Sequence, residues 1–410
     1  MSIVVQKYGG TSVGSAERIK AVAKRVAAKK AEGYQVVVVV SAMGKTTDGL
    51  IELSKQVSPN PHPREMDILL STGETVSIAL VAMALQDIGE KAMSLTGAQA
   101  GIQTDMSYMR ARIANINPSR LHRHLDEGYI CIVAGFQGIN EEMDITTLGR
   151  GGSDTTAVAV AAALNAEVCE IYTDVEGVYT ADPRIVPDAR MLPEVDYEEM
   201  AELATTGSKV LHPRSVEIGW VHNVPILVAS SFVDKPGTMV RTAKGESMEI
   251  RNKVRGISHD LNVAKVTIRG VPDRPGIASS IFGPLAKANL SVDVIVQNSS
   301  EANLTDLSFT VVRTELKQAM EVIEPLAKQI GARGATSDAK VGKVSVVGTG
   351  MANTPGYAAR MFETLAKAGI NIQMITTSEI RITCIVQESQ VADAVRALHQ
   401  AFELEKAETA

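Results

Sequence analysis

Residues 3–14 read IVVQKYGGTSVG, and the fold follows from how this stretch is parsed. Ile3 to Tyr8 are strand formers; two glycines and two hydroxyls come next, and Ser15 stands where a helix running to about Lys30 would need its N-cap. Strand, glycine turn and helix in that order is the unit with which α/β proteins hold phosphate. The lysine is out of place, however. A Walker-type loop carries it after the glycines, whereas Lys7 precedes Gly9 and Gly10. Glycines let the backbone approach a ligand closely. The amides of Gly9, Gly10 and Thr11 could then meet phosphate oxygens, with the Lys7 ammonium as a point charge. An ordinary strand–turn–helix with a solvated lysine fits the same residues. AMGKTTD at 42–48 is no half-Walker loop, because its required first glycine is Val39.

Outward from this unit the pattern repeats. YQVVVVVSAM (34–43) is apolar enough for a strand buried on both faces, and a helical pattern runs from Glu65 to about Ile88. Further strands are expected at 129–136, 169–175 and 225–230. This alternation predicts an α/β fold, a three-layer sandwich with a mainly parallel sheet, whose ligands sit beyond the carboxyl ends of the strands.

The chain has 410 residues, enough for two or three domains. The stretch 235–260 is polar and turn-rich, and beyond it lies an internal repeat. PGIASSIFGPLAKANLSVDVI (275–295) aligns with PGYAARMFETLAKAGINIQMI (355–375) at an offset of 80, with nine of 21 positions identical. Each copy is preceded by a strand and followed by a second strand and helix, which predicts two ferredoxin-like βαββαβ modules. The expected divisions are 1–245 for the large domain, 246–262 for a linker, then 263–338 and 339–410 for the modules.

Bulk properties exclude several classes. A net charge of −6 without a basic block argues against nucleic acid or an anionic membrane surface as partner. Three scattered cysteines argue against a disulfide framework and for a reducing compartment. No leader pattern opens the chain, and runs such as VVVVV (36–40) are too short to span a bilayer, so a soluble cytoplasmic protein is expected. The seven histidines show no metal-ligand spacing, and His122 and His124 read as surface residues. No cluster of side chains dedicated to a metal is expected.

Three more motifs carry chemistry. TTLGRGGSDTTAVAVAAALNA (146–166) leads a glycine turn into an Ala/Val helix. Ser153 or Asp154 would cap it, Gly149, Gly151 and Gly152 open its entry, and Arg150 can grip a carboxylate. YTDVEGVYTADPR (172–184) is a strand end and an irregular turn against which a nucleotide could lie, or simply a turn. Glu74, in LLSTGETVS, is a lone acid on an apolar helix, either solvated or buried with a task.

Taken together, KYGGTSV, STGE (71–74), GRGGSDTTA (149–157), YTDVEGVYTADPR and KVLHPR (209–214), in this order, resemble the aspartate kinases of the amino acid kinase family. The two repeats resemble the tandem ACT modules of those enzymes. The resemblance covers essentially the whole chain and implies ATP as co-substrate, Mg²⁺, and L-aspartate as phosphoryl acceptor. It places Lys7, Tyr8, Gly9, Gly10, Thr173, Asp174, Tyr179, Asp182, Arg184 and Lys209 around the nucleotide. Ser41, Thr47, Glu74, Arg150, Gly151, Gly152 and Ser153 would face aspartate, with Glu74 on its ammonium and Arg150 on its α-carboxylate. Lys7 and Asp154 would be catalytic, Asp154 either orienting Lys7 or helping to hold metal. Asp273, Arg274, Pro275, Gly276, Ile277, Ala278, Asn289, Asp293 and Gln297 would form an effector pocket, with Thr354, Asn371 and Ile372 in the second repeat.

The resemblance further implies lysine and threonine as feedback effectors and a homo-oligomer joined through the ACT modules. Met248 could open a shorter regulatory chain. A carboxylate acceptor is already ionised at neutral pH, so the absence of a poised base agrees with this chemistry. Glutamate, acetylglutamate or nucleotide kinases are the alternatives among enzymes. A catalytically silent sensor would keep the repeats but lose Lys7, Arg150 or Asp154.

Overall fold

The computed structural model describes residues 1–208, 210–242, 254–298, 303–352 and 354–406. Lys209 and Met248 lie outside the described residues. The chain forms two compact units. The first comprises Met1–Val178, Met191–Thr205 and 210–242; the second comprises Tyr179–Arg190, Thr206–Ser208 and the described residues from 254 onward.

The first unit begins with β1 (Ile3–Tyr8), α1 (Ala16–Ala31), β2 (Gln35–Val40), α2 (Thr46–Val57) and α3 (Pro63–Asp87). There follow β3 (Ala92–Leu95), β4 (Ile102–Thr104), β5 (Ile113–Ile116), α4 (Ser119–Asp126), β6 (Ile130–Ala134), β7 (Gln137–Ile139) and β8 (Ile145–Thr147). It is completed by α5 (Gly152–Ala163), β9 (Val168–Thr173), β10 (Glu194–Val195), α6 (Tyr197–Thr205), α7 (Pro213–His222), β11 (Ile226–Ser230) and β12 (Thr238–Val240).

Eight strands make one sheet in the order β10-β12-β11-β9-β1-β2-β6-β3. Every pairing is parallel except β11 with β12. The valine run of β2 is buried residue after residue, because a central parallel strand is covered on both faces. Helices α1 and α3 pack on one face through Val22, Val26, Ile78 and Val81. Helix α5 lies against β1, β2 and β9, with α7 beside it. Its small Ala, Thr and Val side chains are buried almost throughout, which lets it sit close to the sheet. A smaller sheet, β5-β4-β7-β8, adjoins α3. Ser15 caps α1 by accepting the Arg18 N–H at 3.3 Å.

Helix α3 is long and apolar enough, by length and composition, to cross a membrane, contrary to the reading of the apolar runs. One side of it packs in the unit, with Asp67 and Glu74 among its buried residues. His124 is likewise buried, not a surface residue, with its ring edge-on to Tyr129.

The second unit holds β13 (Gly256–Asp260), β14 (Val263–Pro272), α8 (Ile277–Lys287), β15 (Val292–Gln297), β16 (Leu304–Val312), α9 (Leu316–Gln329) and β17 (Gly334–Asp338). After these come β18 (Val341–Val347), α10 (Tyr357–Lys367), β19 (Met374–Thr377), β20 (Arg381–Gln387) and α11 (Val391–Ala401). The first repeat forms the sheet β15-β16-β14-β17 and is a complete βαββαβ module. The second forms β13-β18-β20-β19, so its fourth strand comes from ahead of the first repeat, from residues expected to be linker.

The segment Tyr179–Arg190 is also folded into this second unit. Ala181 and Val186 belong to the same core as Val346, Leu398 and Phe402.

Candidate active site

At the carboxyl end of β1, the Lys7 ammonium lies 2.6 Å from Asp154 Oδ1, and Lys7 is only 8% exposed. Parallel pairing to β2 and β9 places this lysine at the centre of the sheet. A cation so enclosed is stable because its counter-ion is in direct contact. Asp154 sits in the first turn of α5, where a carboxylate also meets the positive helix end.

The turns around this pair are packed backbone to backbone. Gly9 N–H donates to Tyr172 O at 3.3 Å, joining the β1 turn to β9. A Cβ on Gly10 would come within 2.7 Å of Ala42 O, so only glycine lets the turns after β1 and β2 meet there. Gly44 N–H donates to Gly10 O at 3.0 Å, and Ser41 N–H to Tyr8 O at 3.1 Å. Thr173 O accepts the Ser231 N–H at 2.9 Å, and Ser231 Oγ is 2.8 Å from Ser12 Oγ.

Glu74 reaches this cluster from α3. It is 3% exposed; Oε1 accepts the Ala42 N–H at 3.0 Å, and Oε2 has no partner. Burial pushes its carboxyl up to about 7, against the partial relief of backbone hydrogen bonds. A buried acid with one unpaired oxygen is equipped to receive a cation.

The glycine turn differs from expectation in its cap. Gly151, at φ +70°, is the N-cap of α5, and no side chain caps the helix; Ser153 and Asp154 lie inside its first turn. The left-handed backbone at Gly151 sets the cap two residues before the Ser153 hydroxyl could serve. Ser153 is buried and Arg150 exposed. Thr47, in the first turn of α2, and Ser41 are half-buried.

Sequence reasoning missed His212. A Cβ on Gly151 would fall 2.2 Å from the His212 ring, which is therefore packed directly against the turn. Burial holds the His212 pKa below its usual value. The stretch that holds it is KVLHPR (209–214), read above only as a family landmark.

The Tyr8 side chain is fully buried and stacked on Tyr172 with ring centroids 5.1 Å apart, which leaves its backbone for a ligand. Thr173 ends β9 and donates its hydroxyl to Asp174 at 3.1 Å. Tyr179, Asp182 and Arg184 belong to the second unit, where Arg184 and Asp182 form a forked ion pair.

Asp273 to Gly276 lead into α8, with Gly276 at φ +87° as its N-cap, and Ile277 and Ala278 are the helix's first residues. Gly356 repeats this at φ +110° before α10. The Ile277 side chain is buried in the module core, which leaves its backbone alone for a ligand. Asp293 is already paired with the buried Lys343 at 2.7 Å, a partner the sequence did not reveal. Asn289, at φ +56°, and Gln297 are exposed. Asn371 is exposed, Ile372 packs partly on the second core, and Thr354 donates to Gly350 O at 3.2 Å.

Among the described residues no group of three His, Cys, Asp or Glu side chains could cage a metal ion. Mg²⁺ needs no such cage, since it binds through one or two carboxylates and substrate phosphates.

The amino acid kinase family model matches residues 2–230, and ACT domain models match residues 266–329 and 344–402. The chain is 52% identical over 405 residues to an aspartate kinase of Pseudomonas putida, covering 99% of this chain and 98% of that protein. It is 52% identical over 408 residues to an aspartokinase of Mycolicibacterium smegmatis, covering 98% and 97%. Among solved structures, E. coli aspartokinase III in complex with aspartate and ADP matches with a TM-score of 0.81 at 25% identity, over 97% of this chain and 99% of that one. Lysine-bound aspartokinase III matches at 0.75 with 26% identity, over 98% and 99%. With a mainly parallel sheet whose β1 ends in a buried lysine–aspartate pair, and two ACT domains following in sequence, the chain belongs to the aspartate kinases of the amino acid kinase family.

Proposed function

We propose that Lys7 and Asp154 are the centre at which this kinase passes the ATP γ-phosphoryl group to the side-chain carboxylate of L-aspartate, giving 4-phospho-L-aspartate. The single observation that carries the reading is the enclosed ion pair at 2.6 Å between them. The nucleophile arrives ionised, so the obstacle is bringing one anion to another. Lys7 offsets the charge on the transferring group, and Asp154 holds the ammonium in place. The turn amides of Gly9, Gly10 and Thr11 and the uncapped start of α5 add fixed dipoles toward the same charge. No side chain has to remove a proton.

Glu74 receives the aspartate ammonium and Arg150 its α-carboxylate. Ser41, Thr47, Gly151, Gly152 and Ser153 line the acceptor. The nucleotide lies along Gly9, Gly10, the Tyr8 backbone, Thr173 and Asp174; Tyr179, Asp182, Arg184 and Lys209 are added to it by the family resemblance alone. Asp154 is the protein carboxylate that would lie beside a phosphate-bound Mg²⁺, whose chemistry there would be to neutralise phosphate charge.

The amino-terminal part, expected as 1–245 but without Tyr179–Arg190 and Thr206–Ser208, acts as the catalytic domain; 263–338 and 339–410 act as regulatory modules, and β13 from the expected linker serves the second of them. The turn at Asp273, Arg274, Pro275, Gly276, Ile277 and Ala278, with Asn289, Asp293 and Gln297, binds an amino-acid effector; Thr354, Asn371 and Ile372 serve the second module. Lysine is the first candidate, supported by the lysine complex of E. coli aspartokinase III, and threonine the second. The modules pair between copies in a homo-oligomer, a start at Met248 supplies a shorter regulatory chain, and the enzyme works in the cytoplasm.

A coupled assay of ADP release with magnesium, comparing L-aspartate with L-glutamate and omitting effectors, tests the core of this. ADP release with aspartate alone is the expected result. Equal release with glutamate, or none with aspartate, overturns it.

A further inference from the structure

Seven residues before Glu74, and so on the same face of α3, stands a second buried acid, Asp67. It is 0% exposed, and three contacts converge on its carboxylate. Met109 N–H donates to Oδ1 at 3.1 Å and to Oδ2 at 2.9 Å, and the Thr147 hydroxyl donates to Oδ1 at 2.5 Å. Burial pushes the Asp67 pKa up, and the hydrogen bonds from Thr147 and Met109 work against that, because donors favour the ionised form. Both donors belong to chain that borders the glycine turn. Thr147 ends β8, two residues before Gly149. Met109 has a left-handed backbone at φ +65°, which a residue with a side chain keeps when its surroundings fix it. A Cβ on Gly149, itself at φ +77°, would come within 3.1 Å of Met109 O, so the Met109 backbone lies against the turn. Ala111 N–H donates to Thr147 O at 2.9 Å. The half-buried Arg214 guanidinium bridges the same two stretches, donating to Leu148 O at 2.8 Å and to Ala111 O at 3.0 Å. Gly152 N–H closes the turn on Gly149 O at 3.0 Å, with the exposed Arg150 between them.

We propose that Asp67 is a positioning residue for the phosphoryl acceptor: by drawing the Met109 N–H and the Thr147 hydroxyl onto one buried carboxylate, it fixes the glycine turn from which Arg150 is presented. The inference rests on the reading that Arg150 takes the α-carboxylate of aspartate. A guanidinium grips a carboxylate with two parallel bonds, so a small displacement of the turn costs that fit. Glu74 and Asp67 then divide one helix face between them. Glu74 receives the substrate ammonium, and Asp67 steadies the turn that receives the α-carboxylate.

The test is steady-state kinetics on the full-length enzyme without effectors, varying aspartate and ATP separately. Thr147→Val removes one hydroxyl at nearly constant shape and should raise the KM for aspartate about three- to fivefold. Asp67→Ala, which loses both donors' acceptor, should raise it about tenfold or more. Asp67→Asn keeps an oxygen for the Met109 N–H and should fall between wild type and Asp67→Ala. The KM for ATP should stay within twofold of wild type throughout. In enzyme that already carries Arg150→Ala, adding Thr147→Val should change the KM for aspartate less than twofold, since the side chain being positioned is gone. If Asp67→Ala does not fold, Thr147→Val and Asp67→Asn decide the matter by the same readout. A purely structural Asp67 would lower the melting temperature and active fraction without this split. Folded variants with an unchanged KM for aspartate, with both KM values raised alike, or with the full effect persisting beside Arg150→Ala overturn the proposal. Arg150→Ala alone separates the two levels: if it leaves the KM for aspartate unchanged, the underlying acceptor reading has failed, whatever Asp67 does.

Discussion

Glu74 offers a prediction in which function and stability have opposite signs. Its carboxyl is raised from 4.5 to about 7 by burial, with Oε2 unpartnered. In the unfolded chain the group ionises at the ordinary value, so between the two the folded protein holds the extra proton. The folded state is therefore favoured at low pH and loses stability as pH rises from 4.5 to about 7. The interval from 4.5 to about 7 corresponds to roughly 3 kcal/mol, at about 1.36 kcal/mol per pH unit, as the cost of an ionised Glu74 in the ligand-free enzyme. Glu74→Gln keeps an oxygen for the Ala42 N–H and removes the charge. Near pH 8 the variant should unfold at higher denaturant than wild type, by up to about 3 kcal/mol, and near pH 4.5 the advantage should vanish. The same variant should raise the KM for aspartate at least about tenfold, because the substrate ammonium loses its counter-ion. Denaturation of both proteins at the two pH values, followed by the first unit's transition, checks this. A variant less stable than wild type at pH 8, or an advantage that does not change with pH, would refute the reasoning.

Three further outcomes are expected. Lys7→Ala should lower kcat at least about 100-fold, roughly 3 kcal/mol of transition-state stabilisation, while circular dichroism shows the fold retained; near-normal turnover removes Lys7 from the mechanism. Arg150→Ala should raise the KM for aspartate about tenfold or more and leave that for ATP within twofold, as befits an exposed side chain outside the packing; an unchanged aspartate KM reassigns the carboxylate contact. Gly151→Ala combines a backbone at φ +70° with a collision against the His212 ring, and should cost about 2 kcal/mol or more together with aspartate binding; a variant as stable as wild type shows that the turn is not held as described.

The sheet was legible in the sequence because its central strands are almost uniformly apolar and because α1 carries its own serine cap. Ile3 to Tyr8, Ser15 and the valine run of β2 stand as read. The repeat was legible through identity alone. What escaped was set by tertiary contact. Spacing cannot tell that Tyr8, on a strand covered on both faces, turns its ring into the core while its neighbour Lys7 meets Asp154. Residue preference favours Ser153 or Asp154 as a cap, but the left-handed glycine before them decides the boundary. His212 lies against Gly151 and Lys343 against Asp293 across long sequence separations that no local pattern encodes. Nor does any periodicity say which sheet a strand joins, as β13 shows.

That strand has a topological consequence. β13 and β18 are antiparallel neighbours, with Asp260 opposite Lys343, so everything from β14 to β17 occupies the bend of one hairpin. The first ACT module is thus a guest domain whose two ends leave side by side, and joining Asp260 to Lys343 through a short turn would excise it and leave its host with all four strands. Pulling or twisting the guest acts on both arms of that hairpin at once, one of which carries Ile257 and its bond to Thr180.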